Sequence, residues 1–157
     1  GYLERGDRGS ARSIRLVNRN MSVLDEDSVM GVPVLGRIAA GLPLLAQENY
    51  EGSIRVDTSM LPPGGTVFAL VVSGDSMIED GIHDGDYLFV RQRSQVRDGQ
   101  IAVVRVDGEA TVKRVFREGE RLRLQPANSE MEPFFMDARS GDVEIVGEAV
   151  GVFRRIP

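Results

Sequence analysis

The sequence predicts a mainly β protein, and three observations predict it. Short runs rich in Val, Ile, Leu, Phe and Tyr recur between residues 67 and 152. Turn-forming residues punctuate them: Pro62-Pro63-Gly64-Gly65, Asp80-Gly81, Asp84-Gly85, Asp98-Gly99 and Asp107-Gly108. No stretch sustains the apolar period of a helix. Strands spaced by roughly 8–12 residues and separated by turn signals argue for an all-β barrel or sandwich.

Taken in order, the chain opens with a turn around Gly6 to Gly9, followed by residues 10–17 (Ser-Ala-Arg-Ser-Ile-Arg-Leu-Val), which alternate in part as a short strand does. So few residues cannot form a domain, and they read as the last strand of something whose beginning is missing. Residues 18–31 mix polar and acidic residues without a sustained period and read as a linker. In the segment Val34-Leu-Gly-Arg-Ile-Ala-Ala-Gly-Leu-Pro43, the small residues Ala39, Ala40 and Gly41 sit between apolar ones. It reads as a strand ending in a turn, and in extended form it can also enter a narrow site. Further strands are expected at Val67–Val72, Tyr87–Arg91, Ile101–Val106, Ala110–Phe116, Leu122–Gln125 and Val143–Val152. Ile101–Val106 and Ala110–Phe116, joined by Asp107-Gly108-Glu109, form an expected hairpin. Alternation on its second strand puts Thr111, Lys113 and Val115 on one face and Val112 and Arg114 on the other.

Composition narrows the chemistry. A chain of 157 residues with 41% apolar and 27% charged side chains suits one soluble domain plus a short appendage. The absence of cysteine excludes disulfides, thiolate zinc sites and a cysteine nucleophile. With His83 the only histidine, a His-rich metal site is excluded as well. Neither a metal nor a cofactor is expected. The longest apolar run, Val67–Val72, is too short to span a bilayer. The start, Gly1-Tyr-Leu-Glu-Arg5, has neither an initiator Met nor a signal-peptide pattern, so it reads as a fragment or processed product, and a cytoplasmic location is expected.

Charge is unevenly placed. Residues 1–20 carry a net +3, leaving −8 for the remainder of a chain whose total is −5. The acidic body is a poor nucleic-acid binder, while the basic head can touch phosphates. Among the 19 cationic side chains, 18 are arginines and one, Lys113, is a lysine. Arginine stays charged in any protein, whereas a desolvated lysine can lose its proton and act as a base. Coding bias accounts for an arginine-rich surface. It does not by itself account for where the single lysine sits.

Val72-Ser-Gly-Asp-Ser-Met77 places Ser76 directly after an apolar strand in a Gly-containing turn. Such a turn exposes the hydroxyl and leaves backbone N–H groups free to hold an oxyanion. A serine nucleophile needs a base. His83, seven residues on, lies in an Asp/Gly-rich loop where a histidine is more often exposed. Lys113, 37 residues after Ser76, is the other choice, on a face shared with Thr and Val that favours burial. A Ser–Lys dyad requires a neutral amine, and bringing a lysine to neutrality near pH 7 takes roughly 4–5 kcal/mol of differential desolvation.

These features, in this order, resemble the LexA repressors and their self-cleaving relatives, which include UmuD and the lambdoid phage repressors. Ser76 in Ser-Gly-Asp-Ser-Met matches the family nucleophile, Lys113 in Ala-Thr-Val-Lys-Arg its general base, and Ala40–Gly41 in Ile-Ala-Ala-Gly the bond the protein cuts in itself. The likeness covers essentially all of residues 32–157, including Pro43-Leu-Leu-Ala-Gln47, Asp80-Gly-Ile-His-Asp-Gly-Asp86, Pro126-Ala-Asn-Ser-Glu130 and the run from Gly147 to Val152. Residues 1–17 look like the end of the family's winged helix-turn-helix domain. One position departs: Asp75 stands where Escherichia-type members have Met, which adds a charge where the family uses mainly the backbone N–H.

The resemblance implies a LexA/signal-peptidase-like β-fold over residues 32–157, preceded by a linker at 18–31 and a winged-helix remnant at 1–17. It implies a transcriptional repressor of the SOS response that cleaves itself, with Asp75 and Ser76 N–H groups as oxyanion hole and Thr111 orienting the amine. Implied partners are a second copy of the chain, plausibly paired near Val143–Phe153, a RecA filament on single-stranded DNA, and operator DNA bound through the missing N-terminal domain; no membrane is involved. A UmuD-like polymerase-accessory protein is the alternative, against which the Arg-Ser-Ile-Arg-Leu strand argues. A signal-peptidase-like enzyme acting in trans fits less well, given the internal Ala-Gly bond.

Overall fold

Where β-branched and aromatic residues alternate between turn signals, strands form, and their pairing decides where the chemistry-bearing residues meet. The computed structural model describes residues 3–6, 13–16, 28–38 and 43–157. Strands β1 (Leu3–Gly6) and β2 (Ser13–Leu16) pair antiparallel, Leu3 opposite Leu16 and Gly6 opposite Ser13. The strand expected within residues 10–17 is therefore β2, and β1 supplies a partner that its own short sequence does not announce.

The body is one sheet built from β3 (Val29–Leu35), β4 (Tyr50–Asp57), β5 (Val67–Val71), β6 (Tyr87–Gln92), β7 (Gln100–Val106), β8 (Glu109–Glu118), β9 (Arg121–Gln125), β10 (Phe134–Asp137) and β11 (Val143–Phe153). Their order is β10-β9-β8-β7-β11-β6-β5-β3-β4. The mainly β class stands. The strands form one continuous, almost wholly antiparallel sheet, with a parallel contact only where Val34 and Leu35 of β3 meet Ala69 and Leu70 of β5.

The linker expected over residues 18–31 is too long at its C-terminal end. Val29, Met30 and Gly31 already belong to β3 and pair with Asp57, Val56 and Arg55 of β4. Their strand character comes from a partner more than twenty residues away, which local composition does not reveal. The rest of that linker, residues 18–27, lies outside the described residues.

Two backbone features place the functional elements. The expected hairpin closes through Asp107 and Gly108 alone, both at positive φ (49° and 86°), so Glu109 already pairs with Val106. Two residues with positive φ match the twist of the flanking strands, and this tight turn fixes Lys113 opposite Ala102. Strand β11 bends at irregularities after Ile145 and after Ala149, pairing first with β7 and then with β6. Gly147 sits at the changeover, where a Cβ would come within 2.4 Å of the Arg91 carbonyl oxygen. Only glycine fits there.

β11 is thus an interior strand, and edge-to-edge pairing along the whole of Val143–Phe153 is ruled out. Among the described residues, the ladder of residues 149–153 runs on the β6 side alone.

Three apolar clusters hold the sheet. Leu35, Phe68, Met77, Leu88, Val90 and Val103 form the first, Val32, Val34, Val67, Ala69 and Phe89 the second, and Ala102, Val104, Val115, Leu122 and Leu124 the third. Alternate residues of β5 and β7 enter different clusters, so both strands are buried on two faces and read in sequence as unbroken apolar runs. Among the described residues no helix is long and apolar enough to cross a membrane.

Candidate active site

Ser76 lies in the loop between β5 and β6, and that loop is closed at its neck by strand-like bonds. Val72 N–H donates to the Asp86 carbonyl and Gly85 N–H to the Val72 carbonyl, each at 2.8 Å. Within the loop, Gly74 N–H donates to Asp84 Oδ1 at 2.7 Å, and a 3-10 turn runs over Ile78–Asp80. Buried Met77 anchors the turn in the first apolar cluster, one residue after Ser76. The Ser76 backbone is therefore held from below while its hydroxyl faces a cleft.

Strand β8 brings Lys113 to the same place. Lys113 Nζ lies 3.0 Å from Ser76 Oγ, 2.7 Å from Thr111 Oγ1 and 3.0 Å from the Val112 carbonyl oxygen. The residue is only 8% exposed. Among the described residues no carboxylate approaches Nζ to ion-pair distance. Burial without a counter-charge pushes the amine below its ordinary lysine value. Thr111 lies on the same strand face two residues away, and alternation predicts that contact.

Further ties hold Ser76 and Lys113 in register. Arg114, adjacent to Lys113, donates through Nε to Asp80 Oδ2 at 2.9 Å and through Nη2 to Asp80 Oδ1 at 3.0 Å. Asp80 closes the 3-10 turn that follows Ser76, so one ion pair links the Ser76 loop to the Lys113 strand. At the neck of the loop Asp86, fully buried, accepts two 2.6 Å bonds from Arg154, which also reaches the Gly81 carbonyl. Hydrogen bonding from Arg154 outweighs burial and holds the Asp86 carboxyl below the usual carboxylate range. His83 is exposed, and its backbone N–H donates to Asp86 Oδ2 at 2.8 Å.

Ser76 and Thr111 open on a cleft of about 670 Å³ whose walls include Ile38, Leu70, Met77 and Val103. Ile38 is buried in the first cluster, and Leu44 and Leu45 pack against it. Both flanks of the Ala40–Gly41 bond are thus seated in the core that also carries Met77. Ala40 and Gly41 themselves lie outside the described residues. From Ile38, two residues of chain reach at most about 7 Å.

Sequence reasoning brought together Ser76, Lys113, Thr111 and Asp75, and the fold places all four around one loop and strand. It missed Arg114–Asp80 and Asp86–Arg154, whose partners are 34 and 68 residues apart in sequence. It also gave no task to Asn128, although Pro126–Glu130 was singled out as a block.

Comparison with known proteins bears on the same residues. A Peptidase S24-like family profile matches residues 33–150. The LexA repressor of Myxococcus xanthus is 45% identical over 164 residues, covering 99% of this chain and 73% of that protein. The LexA repressor of Oceanobacillus iheyensis is 41% identical over 158 residues, covering 99% and 74%. That of Anaeromyxobacter dehalogenans is 48% identical over 128 residues, covering 80% of this chain and 55% of its own length. The chain therefore spans between about half and three quarters of these relatives.

Proposed function

Since the chain belongs to the Peptidase S24-like family and, within it, to the LexA repressors, we propose that it is the self-cleaving part of a transcriptional repressor of the SOS response. The observation that carries this reading is the 3.0 Å approach of Lys113 Nζ to Ser76 Oγ, with no counter-ion among the described residues. A neutral amine has two N–H bonds and one lone pair, and three partners surround Nζ. Its N–H groups go to Thr111 Oγ1 and the Val112 carbonyl, leaving the lone pair for the Ser76 hydroxyl proton. Thr111 thereby orients the base.

In the proposed reaction Lys113 takes the proton from Ser76 Oγ as that oxygen attacks the Ala40 carbonyl carbon. The Asp75 and Ser76 N–H groups hold the resulting oxyanion. The Ala40–Gly41 bond then breaks, and protonated Lys113 gives its proton to the Gly41 nitrogen. Water, deprotonated by the same amine, hydrolyses the Ser76 ester. Ile38 lines the cleft that Ser76 opens on, which supports delivery of the following residues to the nucleophile.

Seating the apolar segment over Lys113 removes water from the amine, so docking and deprotonation are linked. A lysine whose pKa is lowered in the docked state favours that state more as pH rises, up to the undocked value. Self-cleavage therefore accelerates toward alkaline pH without a partner. A RecA filament on single-stranded DNA would act by selecting the docked form. The β1–β2 hairpin is read as the remnant of the winged helix-turn-helix domain that binds operator DNA, with residues 18–28 as linker. The β3–β11 sheet is read as the peptidase and dimerisation domain, and the hairpin favours the repressor over an accessory subunit with only a short arm. Dimerisation is assigned to the free side of residues 149–153, beside exposed Val152, Phe153 and Ile156.

Mass spectrometry of the protein after incubation between about pH 7 and pH 10 tests this reading. Wild type is expected to split at Ala40–Gly41 faster with rising pH, and Ser76→Ala and Lys113→Arg to stay whole. An intact wild type, a different cut, or a rate flat across that range overturns it.

A further inference from the structure

The block Pro126-Ala-Asn-Ser-Glu130 lies between β9 and β10, and it grips the nucleophile loop at four points. Glu79 N–H donates to the Ala127 carbonyl at 2.8 Å, Ser129 N–H to Glu79 Oε2 at 2.6 Å, and Ala127 N–H to Met77 Sδ at 3.4 Å. The fourth contact reaches the site itself. Asn128 Nδ2 donates to the Asp75 carbonyl oxygen at 3.0 Å, and Asn128 is only 7% exposed.

That carbonyl belongs to the peptide group whose other end is the Ser76 N–H. The group is planar and trans, so its C=O and N–H point in opposite directions. A donor that fixes the carbonyl on one side of the loop therefore fixes the N–H on the other. Ser76 faces the cleft and Asn128 does not line it. Among the described residues no acceptor takes up the N–H of Asp75 or Ser76, as an oxyanion hole requires before the oxyanion forms. Among the described residues the other donor to the Asp75 carbonyl is Ile78 N–H, at a long 3.4 Å.

The side chain is itself locked. Glu130 N–H donates to Asn128 Oδ1 at 3.0 Å, which settles the amide's orientation, and Met131 N–H donates to the Asn128 carbonyl at 3.0 Å. A buried amide with both ends engaged cannot rotate away at little cost.

We infer that Asn128 is a positioning residue for the oxyanion hole: its hydrogen bond to the Asp75 carbonyl aims the Ser76 N–H at the oxygen that becomes negative during cleavage. The inference rests on the self-cleavage reading above. It differs from a merely structural role in what it does to the pH profile. Lys113 Nζ hydrogen-bonds to Ser76, Thr111 and Val112, and among the described residues to none of 126–131. Losing the aim of one N–H lowers the maximal rate and leaves the amine's titration in place. General loosening would admit water to Lys113 and drag the midpoint toward alkaline pH.

The test measures self-cleavage rate against pH by intact mass, with melting temperature, for wild type, Asn128→Leu and Asn128→Asp. Asn128→Asp keeps the acceptor for Glu130 N–H and loses the donor. The expected result is an alkaline plateau lowered about 10- to 100-fold, less than outright loss of an oxyanion donor, with the Asn128→Leu midpoint unmoved. Should Asn128→Leu melt below the assay temperature, the plateau of Asn128→Asp decides. Plateaus within about twofold of wild type, or a loss in Asn128→Leu accompanied by an alkaline midpoint, overturn the inference. Wild type failing to cut at Ala40–Gly41 overturns instead the reading on which it rests.

Discussion

Among the described residues three charged side chains are buried, and they are treated in two ways. Asp86, at the neck of the Ser76 loop, receives Nε and Nη2 of the Arg154 guanidinium, each at 2.6 Å. Glu148, where β11 changes partners, receives Arg91 Nε at 2.7 Å and Gln100 Nε2 at 2.6 Å. Lys113 receives a serine, a threonine and a carbonyl. The carboxylates are kept ionised and hold distant segments together. The amine has acceptors for its N–H groups and no charge to match its own, so desolvation favours the neutral form. Pairing fixes a charge in place, and withholding the pair favours the neutral amine that the proposed base requires.

The largest effects come from changes that end this contrast. Lys113→Arg puts a permanently charged group at the site, with a guanidinium that does not give up its proton. Self-cleavage at alkaline pH is expected to fall by about 10²–10⁴-fold or more, the range for loss of a general base. Thr111→Asp leaves the lysine in place and supplies the missing counter-charge where Thr111 Oγ1 now lies at 2.7 Å. The paired amine holds its proton to higher pH, so cleavage at neutral pH is expected to slow by about tenfold to thousandfold. The same variant should recover in strong alkali, and a rate–pH curve unmoved from wild type would show that Thr111 does not face the working base.

Much of this contrast was legible in the sequence because it depends on local alternation. Lys113 shares a face with Thr111 and Val115, and a turn serine after an apolar strand presents its hydroxyl; both follow from spacing. The strands read correctly are those buried on one or both faces, from Val67 to Phe153. Those missed are edge strands. β4 exposes most of its residues and contains Gly52 and charged side chains, and β10, Phe-Phe-Met-Asp, is too short to show a period. The paired charges were missed for a related reason. Asp86 and Arg154 meet because β11 brings the C-terminal segment past the loop, and nothing near either residue in sequence signals the other. Asn128 was quoted within a block without a task, because its partner is a backbone carbonyl, which has no sequence signature.

Asp86 offers the reverse experiment, removing a partner where one exists. Its carboxyl is held low mainly by the Arg154 hydrogen bonds against the opposing effect of burial. A carboxylate with a lowered folded pKa contributes stability above its unfolded value and loses it as pH falls through the folded one. Arg154→Ala is therefore expected to lower the melting temperature near neutral pH by roughly 5 °C or more. With the pair gone, burial raises the Asp86 carboxyl, so its acid-linked loss of stability should shrink and the gap to wild type should narrow as pH falls. An unchanged acid limb in melts taken between about pH 3 and pH 7 would show that the pair does not anchor the loop.

The smallest effect is also the one that separates chemistry from stability. Burying Lys113 without a counter-ion costs the folded state whenever the amine would be charged in the unfolded chain. Its folded pKa is lowered by desolvation, so between the folded and unfolded values the unfolded chain holds a proton that the native state lacks. Stability then rises with pH across that window, and the cost is fully present below the folded pKa. Lys113→Met removes the charge while keeping an unbranched apolar stem opposite Ala102. It is expected to melt about 2–4 °C above wild type near pH 7, equivalent to roughly 1 kcal/mol in a chain of this size, while losing self-cleavage altogether. The gap should close toward about pH 10, where the unfolded lysine also gives up its proton. Comparison against Ser76→Ala, which is also uncleaved but retains the amine, keeps self-cleavage from distorting the melts. A gap constant with pH would attribute the gain to packing and leave the desolvation of Lys113 without a thermodynamic trace.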